Sequence, residues 1–307
     1  MPPETSTAGT RRPDLLGPAE LAALGGLELV ATKVVDGFLL GLHRSPRRGL
    51  SAEFAELRAY RPGDDLRHVD WRMVGRSDRF YVKQFEEDTH LGAYLLLDVS
   101  GSMGWSSQPG ALPSKLWYGQ LLTAALGLLL IRQGDRVGFA PFDQGVRDWL
   151  PARGGRRHQA ELLRRVAGQE ARGETEAGEP VREVALRLRR PGMVILVSDL
   201  LLEAETTARA LRYLSHRGHQ VLVLHLLDPG ERELSGTGTR RFQDPETGQE
   251  LRVSVPEIRA AYRDAVEGAI RSWRAALRPS GVDYHLVDTS RPFGPTLRHV
   301  LRSRARR

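Results

Sequence analysis

Residues 93–103, AYLLLDVSGSM, constrain this chain more than any other stretch. The apolar run Ala93 to Leu97 has the length and lack of alternation of a strand covered on both faces of a parallel sheet, and it stops abruptly at Asp98. Asp98, Ser100 and Ser102 then recur at every second position, so a loop turning over the sheet edge can aim one carboxylate and two hydroxyls at a common point. These are hard oxygen donors of the kind Mg²⁺ takes at about 2.0–2.1 Å, and the carboxyl ends of strands in open α/β sheets are where ligands bind. The same three residues are also compatible with a plain turn, since serines before a helix are common caps; Ser102 or Ser114 can cap the next helix without touching a metal.

The rest of the chain repeats the strand–helix alternation. Leu116 to Ile131 is a buried helix, too short at about 1.5 Å per residue to cross a hydrocarbon core about 30 Å thick. Asp135 to Ala140 is a strand, Phe142 to Leu150 a hairpin return through Asp143-Gln144-Gly145 at the sheet edge, and Arg156 to Val166 a helix. After the loop 168–178 and a helix over 179–190 comes MVILVSDL, a second buried strand ending in Ser198-Asp199 whose form echoes the first. A helix over 203–216, a strand over 220–226, a long connection over 228–255 with a hairpin excursion, a helix from Pro256 toward Leu277, a strand over 282–287 and a helix over 293–302 complete the chain. The expected fold is α/β: a doubly wound, mostly parallel sheet with helices on both faces over residues 91–307. Residues 1–16 are expected to be disordered. Residues 17–90 are expected to form a helical and β appendage, with helices near 19–24 and 27–41, a basic loop HRSPRRG over 43–49, a Gly-Asp-Asp turn at Gly63-Asp64-Asp65, a short helix over 69–74 and a strand over 79–86.

Composition narrows the chemistry. With no Cys among 307 residues, disulfides, thiol catalysis and Cys-bound zinc are excluded. The net charge of +7 suggests an acidic partner, but the basic residues are interleaved with 38 acids, and only Lys33, Lys83 and Lys115 among them are lysine. No secretory signal is visible, because Pro13 and Asp14 stand where an apolar segment would begin, so a soluble, cytoplasmic protein without a membrane span is expected.

The order of these features resembles the von Willebrand factor A domain, a doubly wound fold with a metal-ion-dependent adhesion site. Its D-x-S-x-S motif is matched by Asp98, Ser100 and Ser102, its loop threonine by Thr175 in Gly173-Glu174-Thr175, and its later aspartate by Asp199. A closer resemblance covers nearly the whole chain. HRSPRRG, YRPGDDLRHVDW, VKQFEED and LLLDVSGSM look like the bacterial family called domain of unknown function 58, whose members resemble A-type partners of MoxR-type AAA+ ATPases.

The resemblance implies that hydroxyls of Ser100, Ser102 and Thr175 hold Mg²⁺ (or Mn²⁺), that Asp98 and Asp199 act largely through water, and that an Asp or Glu of a protein partner fills an open position. That describes a non-enzymatic interaction module, with no catalytic residue and no organic cofactor. Two other readings compete. A metal-dependent phosphohydrolase or nuclease using Asp98 and Asp199 needs a base and usually a second metal, and no His falls inside a motif; His225, at a strand end, is expected in the core or at its rim. Nucleic-acid binding through HRSPRRG and the Arg-rich tail from Arg298 to Arg307 rests on charge alone, so nucleic acid is not the expected partner.

Overall fold

Pro18 supplies the fixed φ of a first helical turn and Gly25, at a φ of 129°, breaks the chain between two helices, α1 (Pro18–Ala22) and α2 (Leu27–His43). The computed structural model describes residues 12–43, 57–60, 80–83, 92–173, 179–201, 204–234, 236–243 and 250–304. The chain divides into two compact units, a larger one of residues 1–40 with 91–307 and a smaller one, Gly41–His90. The smaller unit is thus shorter than the appendage expected over 17–90. The helical residues before 41 group with the sheet because Val30, Val34, Val35 and Phe38 of α2 are buried, and because Asp36 pairs with Arg132 at 2.6 Å. Within the smaller unit, β1 (Leu57–Ala59) pairs antiparallel with β2 (Tyr81–Lys83), and the Tyr60 and Phe80 rings lie 6.1 Å apart beside them. The HRSPRRG loop, the Gly-Asp-Asp turn and the expected helix over 69–74 lie outside the described residues.

The larger unit is built on a six-stranded sheet: β3 (Gly92–Asp98), β4 (Arg136–Phe142), β5 (Leu150–Arg153), β6 (Met193–Ser198), β7 (Gln220–Leu227) and, after an excursion formed by β8 (Thr239–Gln243) and β9 (Glu250–Ser254), β10 (Asp283–Asp288). The spatial order is β10-β7-β6-β3-β4-β5, parallel except for β5. The expected hairpin return over 142–150 turns at 143–145, where Phe142 pairs antiparallel with Val146, and its continuous strand begins at Leu150. Between them residues 147–149 leave the ladder, with Arg147 donating to Asp143 at 2.7 Å and Asp148 bound by Arg165.

Strand alternation sends side chains to two helix layers. Leu95 and Leu97 meet α3 (Lys115–Arg132), capped by Ser114, which accepts from the Trp117 N–H. Gly119 and Gly127 bring that helix close: a Cβ at Gly119 would stand 3.1 Å from Leu97, and one at Gly127 3.3 Å from Leu95. α4 (Arg156–Ala167) follows β5 and buries Leu162, Leu163 and Val166. On the other face Leu96, Val194, Leu196, Val221 and Val223 pack with α5 (Glu179–Arg187), α6 (Ala204–His216) and the end of the long helix over 255–277 through Val181, Leu211, Leu214, Trp273 and Leu277. Burial of each such side chain contributes roughly 1.5–3 kcal/mol, so this double coating is what holds the strands in register. The connection after β7 contains a helical turn that sequence patterning did not show, α7 (Pro229–Glu233); α8 (Val255–Leu277) and α9 (Gly294–Arg304) complete the chain. The result is the expected doubly wound architecture, a mostly parallel sheet with helices on both faces.

Candidate functional site

Chain direction away from the sheet reverses between β3 and β6: from β3 the chain crosses to β4 on one side, and from β6 to β7 on the other. The loops leaving these two neighbours therefore part and leave a crevice at their carboxyl ends. Asp98 is the last residue of β3 and Asp199 the first after β6, so the strand pattern itself delivers both carboxylates to that crevice.

The side chains there form a continuous polar cluster under a nearly closed surface. Asp98 and Ser100 are fully buried, Ser102 and Asp199 almost so. One carboxylate oxygen of Asp98 accepts from the Ser100 N–H at 3.0 Å and the other from the Ser198 hydroxyl at 2.7 Å. The Ser100 and Ser102 hydroxyls are 3.1 Å apart, and Ser102 donates to Asp199 Oδ2 at 2.8 Å. Asp199 Oδ1 accepts from the Leu201 N–H at 3.2 Å. Between them Leu200 holds a left-handed backbone with φ of 55°, and its N–H donates to Ser198 Oγ at 2.9 Å. A buried leucine in that region is strained, and such strain persists where the surroundings over-determine it, as beside a site.

Of the five residues expected to meet, Asp98, Ser100, Ser102 and Asp199 are brought together. Ser114, and not Ser102, is the helix cap. Thr175 lies outside the described residues; its loop reaches the cluster at Gly173, whose carbonyl accepts from the Gly101 N–H at 2.9 Å, while the Arg172 N–H donates to Val99.

Four further residues were not anticipated. Ser198 orients Asp98. Lys115 at the start of α3 is fully buried and donates to Asp199 Oδ2 at 2.8 Å and to Glu231 of α7. Glu231 in turn accepts from the Asp228 N–H at 3.1 Å, and Asp228 accepts from the N–H groups of Gly230 at 2.7 Å and Ser107 at 3.1 Å. Gly230 permits this approach, since a Cβ there would stand 2.1 Å from the Cβ of Ser107. One signal for Lys115 was available: a lysine in the first turn of an apolar helix opposes the helix dipole and calls for a carboxylate partner.

Electrostatics set the chemistry of the cluster. Burial, and after it the neighbouring Asp199 carboxylate, push Asp98 up to about 7. Burial alone would lower Lys115, but Asp199 and Glu231 outweigh it and hold the ammonium charged. Burial raises Glu231 despite Lys115 beside it. Two carboxylates, Asp199 and Glu231, hold the one ammonium, and Asp98 stands as a third beside Asp199 in this buried cluster. Asp199 Oδ2 is taken up by Ser102 and Lys115, but Asp98, the Ser100 and Ser102 hydroxyls and Asp199 Oδ1 each keep a lone pair, so the donor set fits a hard divalent cation. Among the described residues no three His, Cys, Asp or Glu side chains converge as a metal site, so a cation here would rely on hydroxyl ligands. His225, at the end of β7, is buried, shares a hydrogen bond through Nδ1 with the Tyr284 hydroxyl, and is pushed down to about 4 by burial.

Comparison with known proteins agrees with this architecture. An uncharacterized protein of Mycobacterium tuberculosis, Rv1480, is 34% identical over 277 residues, covering 87% of this chain and 86% of its own. A crystal structure of an aerotolerance-related membrane protein from Bacteroides fragilis superposes with a TM-score of 0.50 at 16% identity, covering 71% of this chain and 100% of that one. The hypothetical protein BatB of Bacteroides thetaiotaomicron gives 0.49 at 17% identity over the same shares. At such identities the structural likeness bears on the fold alone. The sequence match goes further, because the model of the family described as protein of unknown function DUF58 covers residues 56–271, from before the first sheet strand into α8, and this chain belongs to that family.

Proposed function

We propose that the protein is a non-enzymatic, metal-dependent interaction module, with Ser100, Ser102 and Thr175 supplying hydroxyl ligands to Mg²⁺ or Mn²⁺ and Asp98 and Asp199 supplying charge around them. A cation held mainly by neutral oxygens is a strong electrophile toward an incoming carboxylate, so the partner is a protein presenting an Asp or Glu; the resemblance to A-type partners makes it a MoxR-type AAA+ ATPase. One observation carries the reading. Two buried carboxylates, Asp98 and Asp199, meet two hydroxyls at the switch point, and Asp98 is driven toward protonation by its burial and by Asp199 beside it. A hydrolase would need a base near neutrality that also faces its substrate, whereas Asp98, raised to about 7, is fully buried and held by the Ser100 N–H and the Ser198 hydroxyl. His225, whose ring lies against Asp199, is sealed in the core, neutral and held by Tyr284, which favours binding over turnover. Among the described residues no helix is long and apolar enough to cross a membrane.

The test pairs calorimetry with capture. Wild-type protein should bind Mn²⁺ and retain the ATPase in Mg²⁺, and should release it in chelator. Ser100→Ala, which removes one hydroxyl that bonds Ser102 and the Asp98 carboxylate, should lose both properties and cost about 1–2 kcal/mol of stability. Undiminished Mn²⁺ binding by Ser100→Ala, or ATPase capture that survives chelator, would refute the proposal.

A further inference from the structure

Lys115 is an unusual occupant of an oxygen-rich site. Its side chain has no solvent exposure and that of Asp199 has 2%. The ammonium sits between Asp199 and Glu231 with the Trp105 ring 6.0 Å away, so it has no route to water from which to act as an ordinary surface cation. Glu231 is fixed by its second oxygen to the start of α7, and Asp228 ties that helix to the loop carrying Ser107. The charge is therefore locked in place from three sides, directly on the oxygen of Asp199 that also receives the Ser102 hydroxyl.

Resting on the cation reading above, we infer that Lys115 is the resident counter-ion of the site: it occupies Asp199 Oδ2, keeps that carboxylate from ligating directly, and so sets cation affinity low, while Glu231 offsets part of its charge. Coulomb attraction decides the sign of each change. Removing Lys115 leaves Asp199 and Glu231 without their counter-charge and frees an oxygen for a metal, so affinity rises. Removing the charge of Glu231 leaves the ammonium more firmly on Asp199 and subtracts one attractive charge, so affinity falls. Residues that merely brace the fold would shift stability in both variants and would not move affinity in opposite directions.

The experiment is titration of the purified chain with Mn²⁺, followed by electron paramagnetic resonance of the free ion, for wild type, Lys115→Met, Glu231→Gln and the double variant. Thermal unfolding is recorded with Mn²⁺ and with chelator. Lys115→Met should bind Mn²⁺ at least tenfold more tightly than wild type, with a melting temperature that is lowered in chelator and recovered by Mn²⁺. Glu231→Gln should bind severalfold more weakly. The double variant should bind more tightly than Glu231→Gln, a comparison that stands even if Lys115→Met alone does not fold. If wild type binds Mn²⁺ but Lys115→Met binds no better, or the double variant equals Glu231→Gln, the role of Lys115 is overturned while the cation site stands. If neither wild type nor any variant binds, the cation site and this inference both fall.

Discussion

Asp98→Asn, followed as a function of pH in chelator, reaches the electrostatics of the site directly. In the fold Asp98 is raised from 3.8 to about 7, first by burial and then by Asp199. An acid whose folded pKa exceeds its unfolded one is protonated in the fold and ionised in the unfolded chain between the two values. The folded state binds the extra proton there, so stability falls as pH rises through the window. At about 1.4 kcal/mol per pH unit the whole window is worth ~4 kcal/mol, of which the interval from about pH 5 to about pH 8.5 captures roughly 3 kcal/mol. Asparagine does not titrate. Its carbonyl oxygen can still accept from the Ser100 N–H, and its amide can donate to Ser198 Oγ, whose hydroxyl then turns away, at a pH-independent cost of about 1 kcal/mol. Urea denaturation monitored by circular dichroism should therefore show the variant gaining roughly 3 kcal/mol on wild type between those two pH values. Saturating Mg²⁺ should recover the wild-type loss and leave the variant unmoved. A gap that stays constant with pH, or that moves against the variant, would show that Asp98 is not a buried charge in want of a counter-ion.

Two further outcomes bear on neighbouring groups. Gly230→Ala places a methyl group 2.1 Å from the Cβ of Ser107, which cannot swing aside because it is fixed to backbone; α7 should be displaced and stability should fall by about 1–3 kcal/mol in urea denaturation, whereas Gly145→Ala, with open space around it, should change little. His225 is held at about 4 by burial against 6.5 in the unfolded chain, so the unfolded state takes up the proton first and stability is lost as pH falls through that range; His225→Gln should remove up to ~3 kcal/mol of the acid-side loss, and an unchanged acid limb would refute the assignment.

The elements of the sheet could be read from residues because two opposite patterns marked them. Unbroken apolar runs such as Leu95–Leu97 and Val194–Val197 fit strands coated on both sides, and α4, α5 and α6 carried one-sided stripes, while α3 is buried all round. Patterning fails where structure is decided by single contacts. The hairpin return expected over 142–150 does turn at 143–145 and pairs Phe142 with Val146, yet Arg147 and Asp148 are held by Asp143 and Arg165, so continuous strand resumes only at Leu150. α7 is one turn in length, shorter than a hydrophobic period can report, and its only local sign was Asp228-Pro229 with Glu231 three residues after Asp228, the spacing of a capping box.

The site divides along the same line. Asp98, Ser100, Ser102 and Asp199 were legible because each sits within a few residues of a strand end whose position the apolar runs define, and a doubly wound order brings neighbouring strand ends together. Lys115 and Glu231 are 116 residues apart, and nothing in periodicity links a helix start to a turn beyond β7. Charge is the link between them. A lysine that opens an apolar helix works against the dipole of that helix and against its own burial, and the fold can tolerate it only where carboxylates arrive from elsewhere to hold it. In a chain whose other basic residues are nearly all arginine, the charge at that position is a compact ammonium held between Asp199, Glu231 and the Trp105 ring. The requirement for a small, fixed, single positive charge beside Asp199 is thus a property of the pocket as a whole, visible only when the ends of β3, β6 and β7 are seen together.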